Sequence, residues 1–480
     1  WITGLRHGAA HCLSCGLAND PTVPGIPNLT TPFPDGKRVL FGGDGEPGTT
    51  GVLECAPSVV DCLHRQILQV DFSNADPSPV ATGGVVTTPQ VNYGGAYQAR
   101  LSPDGKYIGF SEIRSDSITV MVIAGLKRAS DNYVLTNPRV INPPAPTSVF
   151  DTNVDAWSDG SALVEFKGFS HGGADATYVS VGGPALLNPD VWSVNLATGV
   201  RTRLTAGPDW EEDNGVSPNG RLLSVWSFRT MHYVDWLAGL LPVRDFIDAP
   251  GAAMAASTLN GAACSAPMWL LPSSGDRGGA LAGEPIVDYQ YPHVHVTDNL
   301  SAGSQWSPDG TMIALSTTND ATGSAAPFLL VAHPTALKAT KPLTPVSSAP
   351  GSWAPSPSGY HGAMGFDGTI ILHGPGGGTV TVDDGGTPGA LAGQWSETYD
   401  HYSDNGRDFV TGTVAISGTA VAGTIGVHLT MTGADTGSDS TDLDFGPNGT
   451  SGSAESTYDG HTITGPPSGE TGPEYQGGPA

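Results

Sequence analysis

A short phrase recurs along this chain: a polar turn containing Pro-Asp-Gly or a close variant, followed by a strand of small, apolar and β-branched residues. It reads Phe33-Pro34-Asp35-Gly36 before Lys37 to Phe41, and Ser102-Pro103-Asp104-Gly105 before Lys106 to Phe110. Further copies are Trp157-Ser158-Asp159-Gly160, Ser217-Pro218-Asn219-Gly220 before Arg221 to Leu223, and Ser307-Pro308-Asp309-Gly310 before Thr311 to Leu315. Pro presets φ for the first turn position, Asp or Asn bonds back to the backbone, and Gly takes the conformation with positive φ. Repetition at intervals of tens of residues marks a repeat architecture.

A second strand follows each copy at some distance, as in Ile67 to Asp71, Ile118 to Met121, Val191 to Leu196, Met268 to Leu271, Phe328 to Val331 and Thr379 to Val382. After Leu196 comes a hairpin with Gly199 at its tip and a short strand ending in Leu204-Thr205, an ending repeated at Leu343-Thr344. This alternation resembles the blades of TolB-like propellers, built from PD40 (WD40-like) repeats, over roughly residues 30 to 385. The resemblance implies an all-β chain whose residues 31–388 form a β-propeller. Six blades is the best count and seven the alternative, with turn positions at Asp35, Asp104, Asp159, Asn219 and Asp309 and a degenerate copy near Ser358 or Asp367. The competing fold is a β-sandwich with chance turn matches. The longest gap between turns carries an insertion around Met231 to Ala263.

Residues 1–30 read as an N-terminal Cys-containing segment. After about residue 389 the rhythm changes, and Asp408 to Ser417, Thr424 to Thr432 and Thr441 to Phe445 alternate apolar and polar residues. A small antiparallel β appendage over 389–446 is expected, then a tail over 447–480 rich in Gly, Ser, Thr and Pro. The 66 Gly and 40 Pro fit many tight turns, while 38% hydrophobic residues, 10 Trp among them, suffice for cores. Lys and Arg number 20 against 46 Asp and Glu, a formal net charge of -26. Such a surface repels nucleic acid and anionic membranes and favours cations, basic partners or neutral sugars. No window of about 18 uncharged apolar residues is present, so no transmembrane helix is read. Few Lys, many Thr, Ser and Gly and clustered Cys fit a secreted, cell-surface or periplasmic protein, and a start at Trp1 fits either a removed leader or an undetermined start.

Two residue clusters point to chemistry. Cys12, Cys15, Cys55 and Cys62, with His7, His11 and His64 nearby, suit either two disulfides or a structural zinc site. The His11-Cys12-Leu13-Ser14-Cys15 string resembles cytochrome segments, but Gly16 stands where covalent haem attachment needs His. Cys264 reads as a buried thiol. In the second cluster, Gln290, His293 and His295, an extended strand sends residues two apart to one face. Two imidazoles and an amide oxygen there would hold Mn²⁺ or Zn²⁺. The Gln-x-x-His-x-His spacing is similar to the metal-binding stretch of oligogalacturonate lyases, which are themselves PD40 propellers. That resemblance implies a further His from another blade, His171 or His232. The departure is that Val296 to Trp306 intervene before the turn, and the lyase's basic residues have no counterpart here. The ordinary reading is a pair of strand histidines at a blade edge. Asp435, Asp439, Asp442 and Asp444 would bind Ca²⁺ or, more simply, form a solvated acidic hairpin.

The expectation is therefore a non-catalytic binding or scaffold protein that docks protein partners or an extracellular ligand, as a subunit of a cell-surface or periplasmic assembly. A metal-dependent polysaccharide lyase or hydrolase is the alternative. A subunit of an electron-transfer cytochrome complex is the third reading.

Overall fold

The computed structural model describes residues 29–42, 50–55, 65–73, 97–113, 119–143, 150–151, 156–157, 163–181, 190–205, 211–227, 268–276, 283–286, 294–297, 306–319, 324–360, 368–384, 393–403, 405–419, 422–446 and 449–465. In it the repeated phrase is one bonding unit. At Ser102-Pro103-Asp104-Gly105 the Ser102 hydroxyl accepts from Tyr107 N at 2.9 Å and donates to Asp104 Oδ1, while Lys106 N donates to that same carboxylate. Gly105 closes the turn onto Ser102 O with φ 69°. Ser217-Pro218-Asn219-Gly220 and Ser307-Pro308-Asp309-Gly310 repeat every one of these bonds. The turn satisfies its own backbone with side chains at fixed offsets, which makes it a local and autonomous reversal.

Each reversal joins the first and second strands of a blade. Blade 1 is β1 (Leu29–Pro32), β2 (Arg38–Gly42), β3 (Gly51–Cys55) and β4 (Arg65–Asp71); blade 2 is β5 (Tyr97–Leu101), β6 (Tyr107–Ile113), β7 (Thr119–Arg128) and β8 (Tyr133–Val140). Their fourth strands pair in parallel through Val70 with Tyr133 and Asp71 with Val134, which merges the two blades into one eight-stranded sheet. A two-stranded ribbon, β9 (Phe150–Asp151) and β10 (Ala156–Trp157), follows. Blade 3 is β11 (Leu163–Ser170), β12 (Asp175–Val181), β13 (Asp190–Asn195) and β14 (Arg201–Arg203). Blade 4 is β15 (Glu211–Val216), β16 (Leu222–Ser227), β17 (Met268–Pro272) and β18 (Glu284–Ile286), and blade 5 is β19 (Val294–Thr297), β20 (Ile313–Asn319) and β21 (Ser324–Ala332). All pairing within a blade is antiparallel between sequence neighbours.

Consecutive blades stack through buried apolar clusters. Leu40, Val52, Phe110 and Val122 join blades 1 and 2, and Met121, Ile123, Phe166 and Tyr178 join 2 and 3. Val179, Val191, Leu223 and Trp269 join blades 3 and 4, while Met268, Trp306 and Ile313 join 4 and 5. First strands meet at a common inner edge, where β11 touches both β5 and β15 and β5 touches β1. This is the radial stacking of a β-propeller, and among the described residues there is no α-helix. The described strands make four four-stranded blades and a three-stranded fifth. Ser358, offered as a sixth turn, lies in a 3-10 turn at Pro357–Gly359; Asp367 lies outside the described residues.

Blade 3 departs from its expected turn. Its first strand starts at Leu163, after the Ser158-Asp159-Gly160 phrase, which itself lies outside the described residues. The reversal between β11 and β12 is instead made by Ser170-His171-Gly172-Gly173, with φ of 49°, 69° and 95° at the last three. Two glycines there supply the left-handed backbone that Asp-Gly supplies elsewhere.

From Pro334 to Tyr360 the chain makes no strand; it runs back across the turns as a strap. Thr340 N donates to Asp309 O in blade 5, Leu343 N to Pro218 O in blade 4 and Val346 N to Gly172 O in blade 3. Gly351 N and Trp353 Nε1 then bond Leu196 O, and Val140 N of blade 2 bonds Pro355 O. The first three donors are three residues apart, and Pro342 and Pro345 directly precede two of them. Three residues of polyproline II advance about 9 Å, close to the ~10 Å spacing of sheets stacked face to face. The strap is thus in step with the blades.

The C-terminal sheet is an eight-stranded meander: β22 (Gly368–His373), β23 (Gly377–Asp384), β24 (Gly393–Ser403), β25 (Asp408–Thr419), β26 (Ala422–Gly433), β27 (Gly437–Gly446), β28 (Gly449–Tyr458) and β29 (His461–Gly465). It begins before the boundary expected at residue 389 and continues past 446. Thr379 to Val382, read as a blade strand, pairs within it instead, and Gly449 to Gly465, read as tail, adds its last hairpin. Hydroxyl-rich strands gave no apolar signal, yet Ala454 and Ser456 still alternate inward. Ile425, Val427, Leu429 and Met431 are buried while Thr424, His428 and Thr430 are exposed. The buried face also holds Asp439, whose carboxyl burial pushes up to about 7 against the opposing pull of the Thr441 hydroxyl.

Two outcomes follow. A methyl added at Gly109 would lie 2.2 Å from Phe166 Cζ in the neighbouring blade, so Gly109→Ala is expected to cost about 1–3 kcal/mol in urea unfolding. Asp439 in the fold binds its proton more tightly than in the unfolded chain, so its stabilising contribution is full below the ordinary carboxylate value and is lost as pH rises through about 7. Asp439→Asn should therefore raise the unfolding midpoint near pH 8 relative to wild type and leave a flatter pH dependence between about 4 and 7.

Candidate functional site: the inner edge of the blades

The innermost strand of a blade has one neighbour in its own sheet and otherwise faces the inner edge. In blades 2, 3 and 4 that strand carries one extra residue relative to its partner. The register shifts between Tyr97 and Arg100, between Phe166 and Gly168, and between Glu211 and Asn214. A bulge of this kind re-aims the side chains within it. Here the bulged stretches hold Gln98, Lys167, and the pair Glu212 and Asp213, all within one cluster.

Lys167 is the centre. Its side chain has no solvent exposure, and Nζ donates to Glu165 Oε2 at 2.8 Å, Glu212 Oε1 at 2.8 Å and Asp213 Oδ1 at 3.0 Å. Gln98 Nε2 reaches across from blade 2 to Glu165 Oε2 at 2.9 Å. One ammonium thus ties two blades together and an amide ties in the third. Burial alone would lower the Lys167 pKa, but the charges of Asp213, Glu165 and Glu212 reverse this and hold it well above its usual value. Burial raises the Asp213 carboxyl to about 6, against the downward pull of Lys167 and Arg100. Counted together, Glu165, Glu212 and Asp213 against Lys167 and Arg100 leave the cluster acidic. Gln98 holds φ of 55°, a left-handed conformation rare outside Gly. Its Oε1, like Asn214 Oδ1 in β15, is buried with no hydrogen-bond partner among the described residues.

The residues expected to bind metal are placed unevenly. His295 lies in β19, the first strand of blade 5 and so in the inner-edge position, opposite Thr318; its side chain is not described. Gln290, His293 and His232 lie outside the described residues. His171 occupies the blade 3 turn, on the strap side, with Nδ1 2.8 Å from Asp175 Oδ2. The Asp175 carboxylate beside it raises its pKa above the usual value. Of the cysteines, Cys55 ends β3 opposite Arg65, and Cys12, Cys15, Cys62 and Cys264 lie outside the described residues. No group of three or more His, Cys, Asp or Glu with metal-binding geometry is present among the described residues.

Sequence reasoning passed over the Lys167 cluster. A signal was available: Gln98 and Asp213 each stand four residues before the turn serine, Ser102 or Ser217. Polar residues recurring at that offset mark the inner edge.

No protein-family model matches the sequence, and no curated protein matches it. Among solved structures it is similar to a TolB from Agrobacterium tumefaciens, at 16% identity over 61% of this chain and 70% of that one, TM-score 0.33. TolB from Acinetobacter baumannii gives 12% identity over 63% of this chain and 53% of that one, TM-score 0.32. The periplasmic gluconolactonase of Pseudomonas aeruginosa gives 10% identity, 78% and 81% coverage and TM-score 0.29. The chain thus spans about half the length of the Acinetobacter protein. These neighbours are propeller proteins, and at such scores the fold stands on this chain's own blade pairing.

Replacing Lys167 leaves three carboxylates without their shared cation. Lys167→Met is expected to cost about 3–5 kcal/mol in chemical denaturation. Gln98→Ala, which removes only the amide link from blade 2, should cost far less.

Proposed function

We propose that this chain is an extracytoplasmic β-propeller that serves as a non-catalytic binding module, a subunit of a cell-surface or periplasmic assembly. The observation that supports it most is the Lys167 cluster. A catalytic centre needs a base or nucleophile poised to change its protonation state. At this inner edge the lysine is held as an ammonium by three carboxylates, so it is no base, and the one carboxyl raised toward neutrality, Asp213, is buried against that ammonium. The cluster fixes the relative position of three blades and so rigidifies the disc. Its residual negative charge, on partly exposed carboxylates, suits a ligand that carries positive charge. The overall charge of -26 points the same way. Few Lys and a cysteine cluster near the N-terminus agree with an extracytoplasmic setting, and among the described residues no helix is long and apolar enough to cross a membrane.

One observation favours a second reading, that of a metal-dependent polysaccharide lyase: His295 occupies the inner-edge strand of blade 5. Elemental analysis of the purified full chain separates the two. The binding module is expected to carry no stoichiometric Mn or Zn that depends on these histidines. Stoichiometric metal lost in His293→Ala and His295→Ala would overturn it in favour of the lyase.

A further inference from the structure

The outer face of the C-terminal sheet carries a groove of about 640 Å³ that crosses β23 to β27. Its floor is made by the smallest side chains. Ala415 and Gly426 are cross-strand partners in the middle of β25 and β26. A Cβ built on Gly426 would find its nearest atoms, Ala415 O and Asp442 Oδ1, both 3.9 Å away. Neither sterics nor backbone conformation requires glycine there, and glycine in a strand interior weakens the strand by roughly 0.5–1 kcal/mol relative to Ala. Such a glycine often marks a place where a ligand approaches the sheet closely.

The walls have a definite chemistry. Asp383 stands at one end, on β23, and Asp442 and Asp444 at the other, on β27. Between them lie Gln394, Ser417 and Thr424, the last two hydroxyls sharing a 2.7 Å hydrogen bond. No Lys or Arg is among the described lining residues. His428 adds an imidazole whose Nε2 is 3.3 Å from Asp442 Oδ1. Four inter-strand steps separate β23 from β27, a span of about 19 Å at ~4.8 Å per step. The groove is therefore elongated, acidic at both ends and hydroxyl-lined between.

We propose that this groove binds an amino-sugar oligosaccharide, its ammonium groups at the carboxylate ends and its ring hydroxyls on the Ser, Thr and Gln side chains. An anionic glycan is disfavoured by three carboxylates with no Lys or Arg among the described lining residues. A basic peptide would match the charge, but the backbone of the floor strands is paired on both sides and offers it no strand addition. The hydroxyls of Ser396, Thr413, Ser417 and Thr424, with the single amide of Gln394, answer to a polyol instead. No inner-edge residue takes part, so this site stands or falls separately from the propeller's role.

The test is calorimetric titration of the full chain with a glucosamine tetramer, its N-acetylated counterpart and tetralysine. The glucosamine tetramer should bind, with the N-acetylated form at least about tenfold weaker for want of charge-assisted hydrogen bonds. Asp442→Asn combined with Asp444→Asn should weaken it by a similar factor. Gly426→Trp, which fills the floor, should abolish binding with an unchanged far-UV spectrum and unfolding midpoint. Absence of glucosamine binding overturns the proposal. So does equal binding of the N-acetylated form, binding as tight to tetralysine, or binding indifferent both to Gly426→Trp and to the paired Asp442/Asp444 change.

Discussion

A fully buried ammonium must be met by charge, and meeting the ammonium of Lys167 dictates how three blades of this protein sit together. Its three carboxylate partners come from its own strand and from the first strand of the next blade, and an amide from the blade before holds one of them. No partner can move without leaving charge exposed to a low dielectric. The apolar clusters between blades supply most of the burial, but they are tolerant of small slides. The ion cluster is directional, and it turns a stack of sheets into an assembly with a defined inner edge. Bulges in three successive strands are the device that aims the side chains there.

The turns do two things at once. Within a blade they reverse the chain using their own serine and aspartate or asparagine side chains, which leaves turn carbonyls such as Pro218 O and Asp309 O unused and pointing outward. The strap uses those carbonyls. Because its donors recur every three residues and the blades recur at nearly the same distance, one extended segment stitches blades 5, 4 and 3 in sequence before it reaches blade 2. Turns that recur blade by blade each leave a carbonyl for the strap, at Asp309, Pro218 and Gly172 in turn, and a proline-rich segment is the natural complement.

Much of the propeller was legible in the residues. Ser102, Ser217 and Ser307 announce their turns because the bonding is local and every partner lies within five residues. The blade 3 turn was missed because Ser170-His171-Gly172-Gly173 reaches the same backbone shape by a different route, while Ser158-Asp159-Gly160 carries the right letters ahead of the strand. Thr379 to Val382 was read as a blade strand because it has the alternation of any half-buried strand, and only pairing assigns it to the C-terminal sheet. That sheet's last hairpin was hidden by composition: Gly449 to Tyr458 is mostly Ser, Thr and Gly, and a sheet that is exposed on one face needs few apolar residues. The Lys167 cluster joins residues from Gln98 to Asp213, and long-range convergence of that kind leaves only a faint trace at a fixed offset from each turn.

The account rests on inner strands of separate blades meeting at one charged hub, and a double-mutant cycle between Lys167 and Asp213, which lie 46 residues apart, measures this directly. Urea unfolding of Lys167→Met, Asp213→Asn and the combined variant should give a coupling within the range of about 0.5–3 kcal/mol typical of groups in contact. Additivity to within about 0.3 kcal/mol would contradict a shared hub.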